Sequence, residues 1–274
     1  TNYENKNFKL RRQLAGLTMG EIMEQQGRFM KDIIQGLHYF MSETWWGIPA
    51  HYPLPQPEAK TQIVDLFNAE TASLLAWTAY MLHDELEVYE KGICNQIRKE
   101  IDRRMLTPAR TTDYSWKKRK SNWNPWICSN WLTCVLFCES NRQHQIDAIS
   151  QILLCLDTFY DAYADDGGCD EGIGYWERAA ASFYECLELF GLATNGRISM
   201  AKDAKLKAMG AFVYNTYIGH DTFVNFADAK PSSTISPNIA IPFGIYTNDS
   251  TLIKYAVKYA MKYQFKSKPS QLYS

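Results

Sequence analysis

Apolar residues recur at helical spacing through most of the chain, and this periodicity constrains the fold more than any other feature. In Arg142–Tyr163 the isoleucines, leucines and aromatic residues fall three or four positions apart, as on one face of an amphipathic helix. A short strand is expected at Thr222–Phe226, and the pattern otherwise predicts an all-α protein. The same spacing predicts further helices over Met19–Met41, Val64–Met81, Glu85–Arg104, Asn130–Glu139, Tyr175–Phe190, Lys202–Tyr214 and Thr251–Tyr263.

The connections between these predicted helices alternate between long and short. The long connections carry polar residues that a helical core does not need, namely His51, Asn122, Tyr175 and His220. Helical hairpins whose longer loops gather at one end are typical of an incomplete (α/α) toroid. We therefore predict a single domain over residues 1–274, built as an incomplete (α/α) toroid of antiparallel helical hairpins.

Composition argues against several classes of function. The 29 Lys and Arg nearly balance the 30 Asp and Glu, which gives a formal net charge of −1, so we expect neither a nucleic-acid partner nor an anionic membrane surface. No apolar run is long enough to span a membrane. The seven cysteines show no CxxC spacing, which argues against a zinc site and indicates a reducing, cytoplasmic compartment. No metal or other cofactor is expected.

The stretch Asp165–Phe190 combines a glycine-rich turn, several carboxylates and an aromatic pair ahead of a predicted helix. Glycine adopts backbone angles that other residues avoid, so this loop can fold tightly and position its neighbours. Tyr175 stands at the end of the loop and is the candidate reactive group. Glu171 and the aspartates around it can fix the loop through backbone amides.

Six stretches with unusual polar or aromatic residues follow one another along the chain: Trp45–His51, Val64–Leu75, Arg103–Arg104 with Pro108, Asn122–Asn124, Asp166–Trp176 and Asn225–Asp228. In this order they resemble motifs of the heparinase II/III family of polysaccharide lyases, and the resemblance covers most of the chain. It implies an (α/α) toroid that cleaves uronic-acid polysaccharides by β-elimination, in a periplasmic or secreted protein.

The resemblance also implies a further domain. Members of this family carry a β-sandwich after the toroid, and a histidine of that sandwich helps to complete the site. No stretch of this chain matches the sandwich. We therefore expect the chain to be a fragment, with a C-terminal β-sandwich in the same full-length protein, and the isolated toroid to be inactive or weakly active.

β-Elimination at a uronic acid requires three kinds of group: donors that neutralise the carboxylate, a base for the C5 proton and an acid for the leaving oxygen. The resemblance implies Tyr175 as acid and base, with Asn122 or Asn124 as the amide donor to the carboxylate. His51 is the third predicted catalytic residue, since a tyrosine needs a nearby cation to act as base. The predicted substrate contacts are Asn124, Trp123, Trp45, Trp46, Arg104, Glu171, Trp176, His220 and Asn225.

Structural interpretations and other functions stay open beside this one. Asn122 and Asn124 suit helix N-caps, and the tryptophans suit a core. One alternative function is an (α/α)-barrel glycoside hydrolase, with Glu171 and either Asp170 or Asp166 as its two carboxylates. A second alternative is a glycan-binding module without catalytic activity.

Overall fold

The structure is a computed structural model that describes residues 2–51 and 62–262. Helices dominate these residues, and the two strands among them form a single short hairpin. The all-α prediction is therefore confirmed. Part of the proline-rich loop predicted after Ser42, and the tail predicted after Tyr263, lie outside the described residues.

The described chain divides into two compact units. Unit 1 comprises residues 2–51, 62–114 and 130–152, and unit 2 comprises residues 115–129 and 153–262. The single toroid over residues 1–274 stays a prediction.

Unit 1 is built from the helices in the first part of the chain, together with parts of two later helices. Its elements are α1 (Asn2–Glu24), α2 (Met30–Ser42), α3 (Leu66–Met81), α4 (His83–Tyr89), α5 (Ile93–Ile101) and α6 (Thr107–Thr111), with a 3-10 turn at Pro49–His51 and a π-helical turn at Asp102–Leu106. Helices α7 (Trp123–Cys138) and α8 (Arg142–Ala162) contribute residues to both units. In unit 1, α1 packs on α2 and α3, and α3 packs on α4 and α5.

The prediction of one helix over Met19–Met41 is wrong, because a turn separates α1 from α2. Gln25 and Gly27 have φ values of 53° and 74°, which end a right-handed helix. The Glu21 carboxylate accepts hydrogen bonds from the backbone N–H groups of Gly27 at 2.6 Å and Phe29 at 3.0 Å. The apolar spacing continues across this turn, so periodicity alone did not reveal it.

The predicted helix Glu85–Arg104 is also interrupted. Gly92 adopts φ 88° and separates α4 from α5. The sequence also suggests Asp84 as the N-cap of this helix, but Asp84 lies within the first turn of α4. The polar composition of Leu106–Lys120 suggests a linker, but this segment contains α6 and a 3-10 helix at Ser115–Lys118.

Unit 2 places its helices around a 3-10 helix at Ile173–Arg178. The remaining elements are α9 (Ala180–Ala193), α10 (Ala204–Asn215), β1 (Tyr217–Gly219), β2 (Thr222–Phe223), α11 (Pro237–Tyr246) and α12 (Ser250–Lys262). Helix α10 packs on α9, α11, α12 and the 3-10 helix. The sequence analysis missed α11, because Pro242 and Gly244 interrupt its apolar pattern. No helix within residues 2–51 and 62–262 has both the length and the hydropathy that a membrane span requires.

Candidate functional site

Three of the six motif stretches meet in unit 2. Asn122 Nδ2 donates a hydrogen bond to Glu171 Oε2 at 2.6 Å, across 49 positions of sequence. Gly172 has φ 85°, and a Cβ placed on it would lie 2.6 Å from Ala229 Cβ and 2.9 Å from the Phe226 carbonyl oxygen. The segment around residues 225–229 therefore packs directly on the glycine loop, beside the carboxylate that Asn122 holds.

Glu171 is the electrostatic centre of this group. Burial of its side chain raises the pKa of Glu171 above its ordinary value, and the nearby carboxylates of Asp170 and Asp228 raise it further. A hydrogen bond from the backbone of Asn122 lowers the pKa of Glu171 and is the smaller effect. Glu171 therefore retains a proton to higher pH than an exposed glutamate does.

Tyr175 lies four residues after Glu171, in the 3-10 helix. The α-helix that was predicted to start at Tyr175 begins instead at Ala180. The backbone N–H of Tyr175 donates to the Gly172 carbonyl at 3.1 Å, which holds the residue against the loop. Its side chain is half-buried, and within the described part of the chain its hydroxyl has no hydrogen-bond partner. The hydroxyl is therefore available to a ligand.

Asn124 does not fit its predicted role as a substrate contact. The residue is fully buried, and its amide nitrogen donates to the backbone carbonyls of Cys155 at 2.7 Å, Arg119 at 3.1 Å and Lys117 at 3.4 Å. This amide fixes backbone inside unit 2 and has no donor to spare for a uronate. Asn122 is also buried, at 4% exposed, but its amide donates to a carboxylate oxygen and not to backbone carbonyls.

Three of the predicted tryptophan contacts are core residues. Trp45, Trp46 and Trp176 are 4%, 0% and 0% exposed. The indole N–H of Trp46 donates to the Phe40 carbonyl, and that of Trp176 to the Met209 carbonyl, each at 2.8 Å. A sugar platform must present a ring face to solvent, so the buried rings of these three residues do not suit the predicted substrate contact.

Three other predicted contacts keep their accessibility. Trp123 is half-buried, with the Arg119 guanidinium 4.9 Å from its ring centre. His220 is exposed at the turn of the β1–β2 hairpin, where it and Asp221 have φ values of 49° and 60°, as the tightest hairpin turns require. Asn225 is exposed shortly after β2. All three lie in unit 2.

His51 lies in unit 1, and a carboxylate orients its ring. His51 Nδ1 is 2.8 Å from Asp65 Oδ2, and the ring stacks on Phe67 with centroids 5.6 Å apart and planes 10° apart. The other oxygen of Asp65 accepts the Asn68 N–H at 2.6 Å and caps α3. A half-buried imidazole held by a buried aspartate suits proton transfer and also joins the 3-10 turn to α3.

Arg104, also in unit 1, does not fit its predicted role as a substrate contact. The side chain is 2% exposed and its Nε donates to Glu100 Oε2 at 2.8 Å. Its Nη2 donates to the Met41 carbonyl at 3.0 Å, and its guanidinium stacks over Trp46 at 4.7 Å. These contacts place Arg104 in the core of unit 1.

The sequence analysis missed a second group of charges in unit 2. The Arg178 guanidinium lies 4.2 Å from the Trp126 ring centre, and Glu177 Oε1 accepts the Ser236 N–H at 2.5 Å. Burial raises the pKa of Glu185 to about 8, against the opposing effect of Arg178. The sequence signal that could have revealed this group is Glu185, a charged residue within the apolar run of α9.

Comparison with models of known protein families finds no match to this chain, and comparison with curated proteins finds no relative. The resemblance to heparinase II/III lyases therefore stays a prediction that rests on the motifs.

Proposed function

We propose that the chain is the toroid part of a heparinase II/III-like lyase that cleaves a uronic-acid glycan, a glycosaminoglycan or an alginate-like polymer, by β-elimination. One observation carries this proposal: Asn122, the loop from Glu171 to Tyr175 and the segment 225–229 meet in one unit. The proposed architecture is an incomplete (α/α) toroid of antiparallel hairpins, completed by a β-sandwich of the full-length protein.

Asn122 neutralises the substrate carboxylate. Its amide already donates to a carboxylate at 2.6 Å, which is the pairing that a uronate would take over from Glu171. This donor stabilises the charge that develops on the carboxylate when the C5 proton leaves.

Tyr175 transfers the proton. Its ionised oxygen removes the proton from C5, the electron pair forms the C4–C5 double bond, and the bond from C4 to the glycosidic oxygen breaks. The same proton then passes from the tyrosine to the leaving oxygen. Trp123, His220 and Asn225, which lie in the same unit as Tyr175, contact neighbouring sugars.

A glycoside hydrolase is the second candidate, and one observation favours it. A hydrolase needs a carboxylic acid with a raised pKa as proton donor, and Glu171 has a raised pKa. Asp170 or Asp166 would then be the second carboxylate. A glycan-binding module without catalysis is the third candidate, and it predicts saturable binding with no product.

The experiment incubates the full-length protein with heparan sulfate, chondroitin, hyaluronan, alginate and pectic polymers and follows both near-ultraviolet absorbance and new reducing ends. An unsaturated uronide absorbs in the near ultraviolet, whereas a hydrolase product does not. We expect absorbance to rise on one polymer, Tyr175→Phe and Asn122→Ala to abolish the rise, and the exposed control Tyr80→Phe to retain it.

New reducing ends without that absorbance would replace the lyase with the hydrolase. Binding measured on the same polymers separates an inactive toroid from a protein of other function. Tight binding that Asn122→Ala weakens supports the assignment of the carboxylate site, and an absence of both binding and product on every polymer contradicts the proposal.

A further inference from the structure

A cluster of three side chains with metal-binding chemistry lies in unit 1, apart from the residues of the proposed lyase site. His83 and Glu87 are four positions apart on α4, so they share one helix face. Cys94 lies in the first turn of α5. One ligand atom from each of the three residues lies within 4.8 Å of the other two.

Hydrogen bonds hold two of the three ligands in place. The Glu87 carboxylate accepts the backbone N–H of Gly92 at 2.7 Å and of Cys94 at 3.1 Å. These bonds stabilise the start of α5, and they also fix the thiol beside the carboxylate. Each carboxylate oxygen has two lone-pair directions, so Glu87 can keep both backbone bonds and still bind a cation.

A carboxylate lies beside the imidazole of His83. His83 Nδ1 lies 3.0 Å from Asp84 Oδ1. A neutral imidazole that donates from Nδ1 has a lone pair at Nε2, and a carboxylate on the far nitrogen is a common partner of a metal-binding histidine.

A cavity borders one of the three ligands. Its volume is about 340 Å³, and its lining includes His83, Asp84, Arg98 and Cys138. Since His83 is also exposed, an ion can approach the cluster from the side of the histidine.

We propose that His83, Glu87 and Cys94 bind a zinc ion through one nitrogen, one oxygen and one sulfur ligand. A thiolate, an imidazole and a carboxylate together match the ligand preferences of Zn²⁺, whereas Ca²⁺ and Mg²⁺ require oxygen ligands. Three protein ligands leave the fourth tetrahedral position to water, as in zinc sites that act on substrates.

Binding must remove the proton from the Cys94 thiol. The proton passes to solvent as the metal–sulfur bond forms.

Cobalt titration of the reduced protein tests the site, because Co²⁺ bound to a thiolate gives a charge-transfer band in the near ultraviolet. We expect one Co²⁺ per chain, displaced by Zn²⁺. Cys94→Ser should abolish the band, and His83→Ala and Glu87→Gln should each weaken affinity by about tenfold or more. Circular dichroism without metal checks that each variant folds.

Two matched controls make the result specific. Cys138→Ser removes a thiol that lines the neighbouring cavity, and His38→Ala removes a second surface His–Glu pair in unit 1. Both variants should bind cobalt as the unmodified protein does. The proposal is overturned by the absence of a thiolate band, by a band that survives Cys94→Ser, or by a band that Cys138→Ser abolishes.

Discussion

The amide nitrogen of Asn122 lies 2.6 Å from the carboxylate oxygen of Glu171, although 49 positions separate the two residues in sequence. This hydrogen bond joins the start of α7 to the glycine loop that carries Tyr175. It satisfies one donor of a nearly buried asparagine and one acceptor of a half-buried glutamate. It also gives Glu171 a different expected role in each candidate function.

Replacing Glu171 distinguishes the lyase from the hydrolase. In the lyase, Glu171→Ala removes the side chain that competes with the substrate carboxylate for Asn122, so we expect cleavage to fall by no more than about tenfold. In the hydrolase, the same change removes the acid and lowers the rate by about 100-fold or more. Initial rates on the cleaved polymer measure the difference, with the exposed Asp161→Ala as control.

Glu185 predicts a pH-dependent stability. Burial raises its pKa in the folded chain to about 8, above the ordinary value of 4.5, so the folded state binds the proton more tightly than the unfolded state does. Its contribution to stability is therefore complete below about pH 4.5 and is lost as pH rises towards about 8. Glu185→Gln keeps the shape but has no charge to bury.

We expect the free energy of unfolding of Glu185→Gln, relative to the unmodified protein, to rise with pH by up to about 1 kcal/mol per pH unit in this window. Urea unfolding at pH 5, 6, 7 and 8 measures it. The substitution Glu85→Gln, at an exposed glutamate in unit 1, should show no such trend. A difference for Glu185→Gln that stays constant with pH would rule out the raised pKa.

Asp65 should be important for the stability of unit 1. Its carboxylate accepts the Asn68 N–H at 2.6 Å, His51 Nδ1 at 2.8 Å and the Ile48 N–H at 3.4 Å. Asp65→Ala leaves these donors without an acceptor, so we expect a loss of about 2 kcal/mol. Asp65→Asn keeps one oxygen acceptor and should lose about half as much. Urea unfolding midpoints of both Asp65 variants are compared with that of the exposed control Asp157→Ala. Equal midpoints for the three variants would contradict the stabilising role of Asp65.

A side chain at position 167 is excluded by the backbone of another segment that lies close to Gly167, and not only by the positive φ of this residue. Gly167 and Gly196 have φ values of 79° and 77°. A Cβ at Gly167 would lie 2.1 Å from the Ala208 carbonyl carbon, whereas one at Gly196 meets nothing within 4 Å. We expect Gly196→Ala to cost about 1 kcal/mol and Gly167→Ala about 3 kcal/mol or more. Thermal or urea unfolding of the pair measures the difference, and similar losses would contradict the close packing.

Periodicity predicted most helices, because helical spacing is a local property of the chain. Helices α3, α8, α10 and α12 begin and end within about two residues of their predicted bounds. The errors fall where apolar spacing continues across a break, as at Gly27 and Gly92, or where proline and glycine interrupt it, as in α11. At those positions the backbone angle of one residue decides the outcome.

The candidate site was predicted less completely than the fold. Residue type and motif order pointed to Asn122, Glu171 and Tyr175, and to His51 with its polar surroundings. They also pointed to Asn124, Arg104 and three tryptophans, which are buried. The sequence gives only the residue type. It does not distinguish a donor or an aromatic ring that lies in the core from one that faces solvent.

The amino-acid sequence by itself determined the helical class, the absence of a strong net charge and the glycine loop that presents Tyr175. These follow from composition and from residues close together in the chain. Tertiary structure alone decided that Asn122 would meet Glu171, that Asn124 would be used up by backbone carbonyls, and that Cys94 would join His83 and Glu87. Such pairings depend on how helices pack and on which polar groups lose water. The spacing of residues along the chain determines neither.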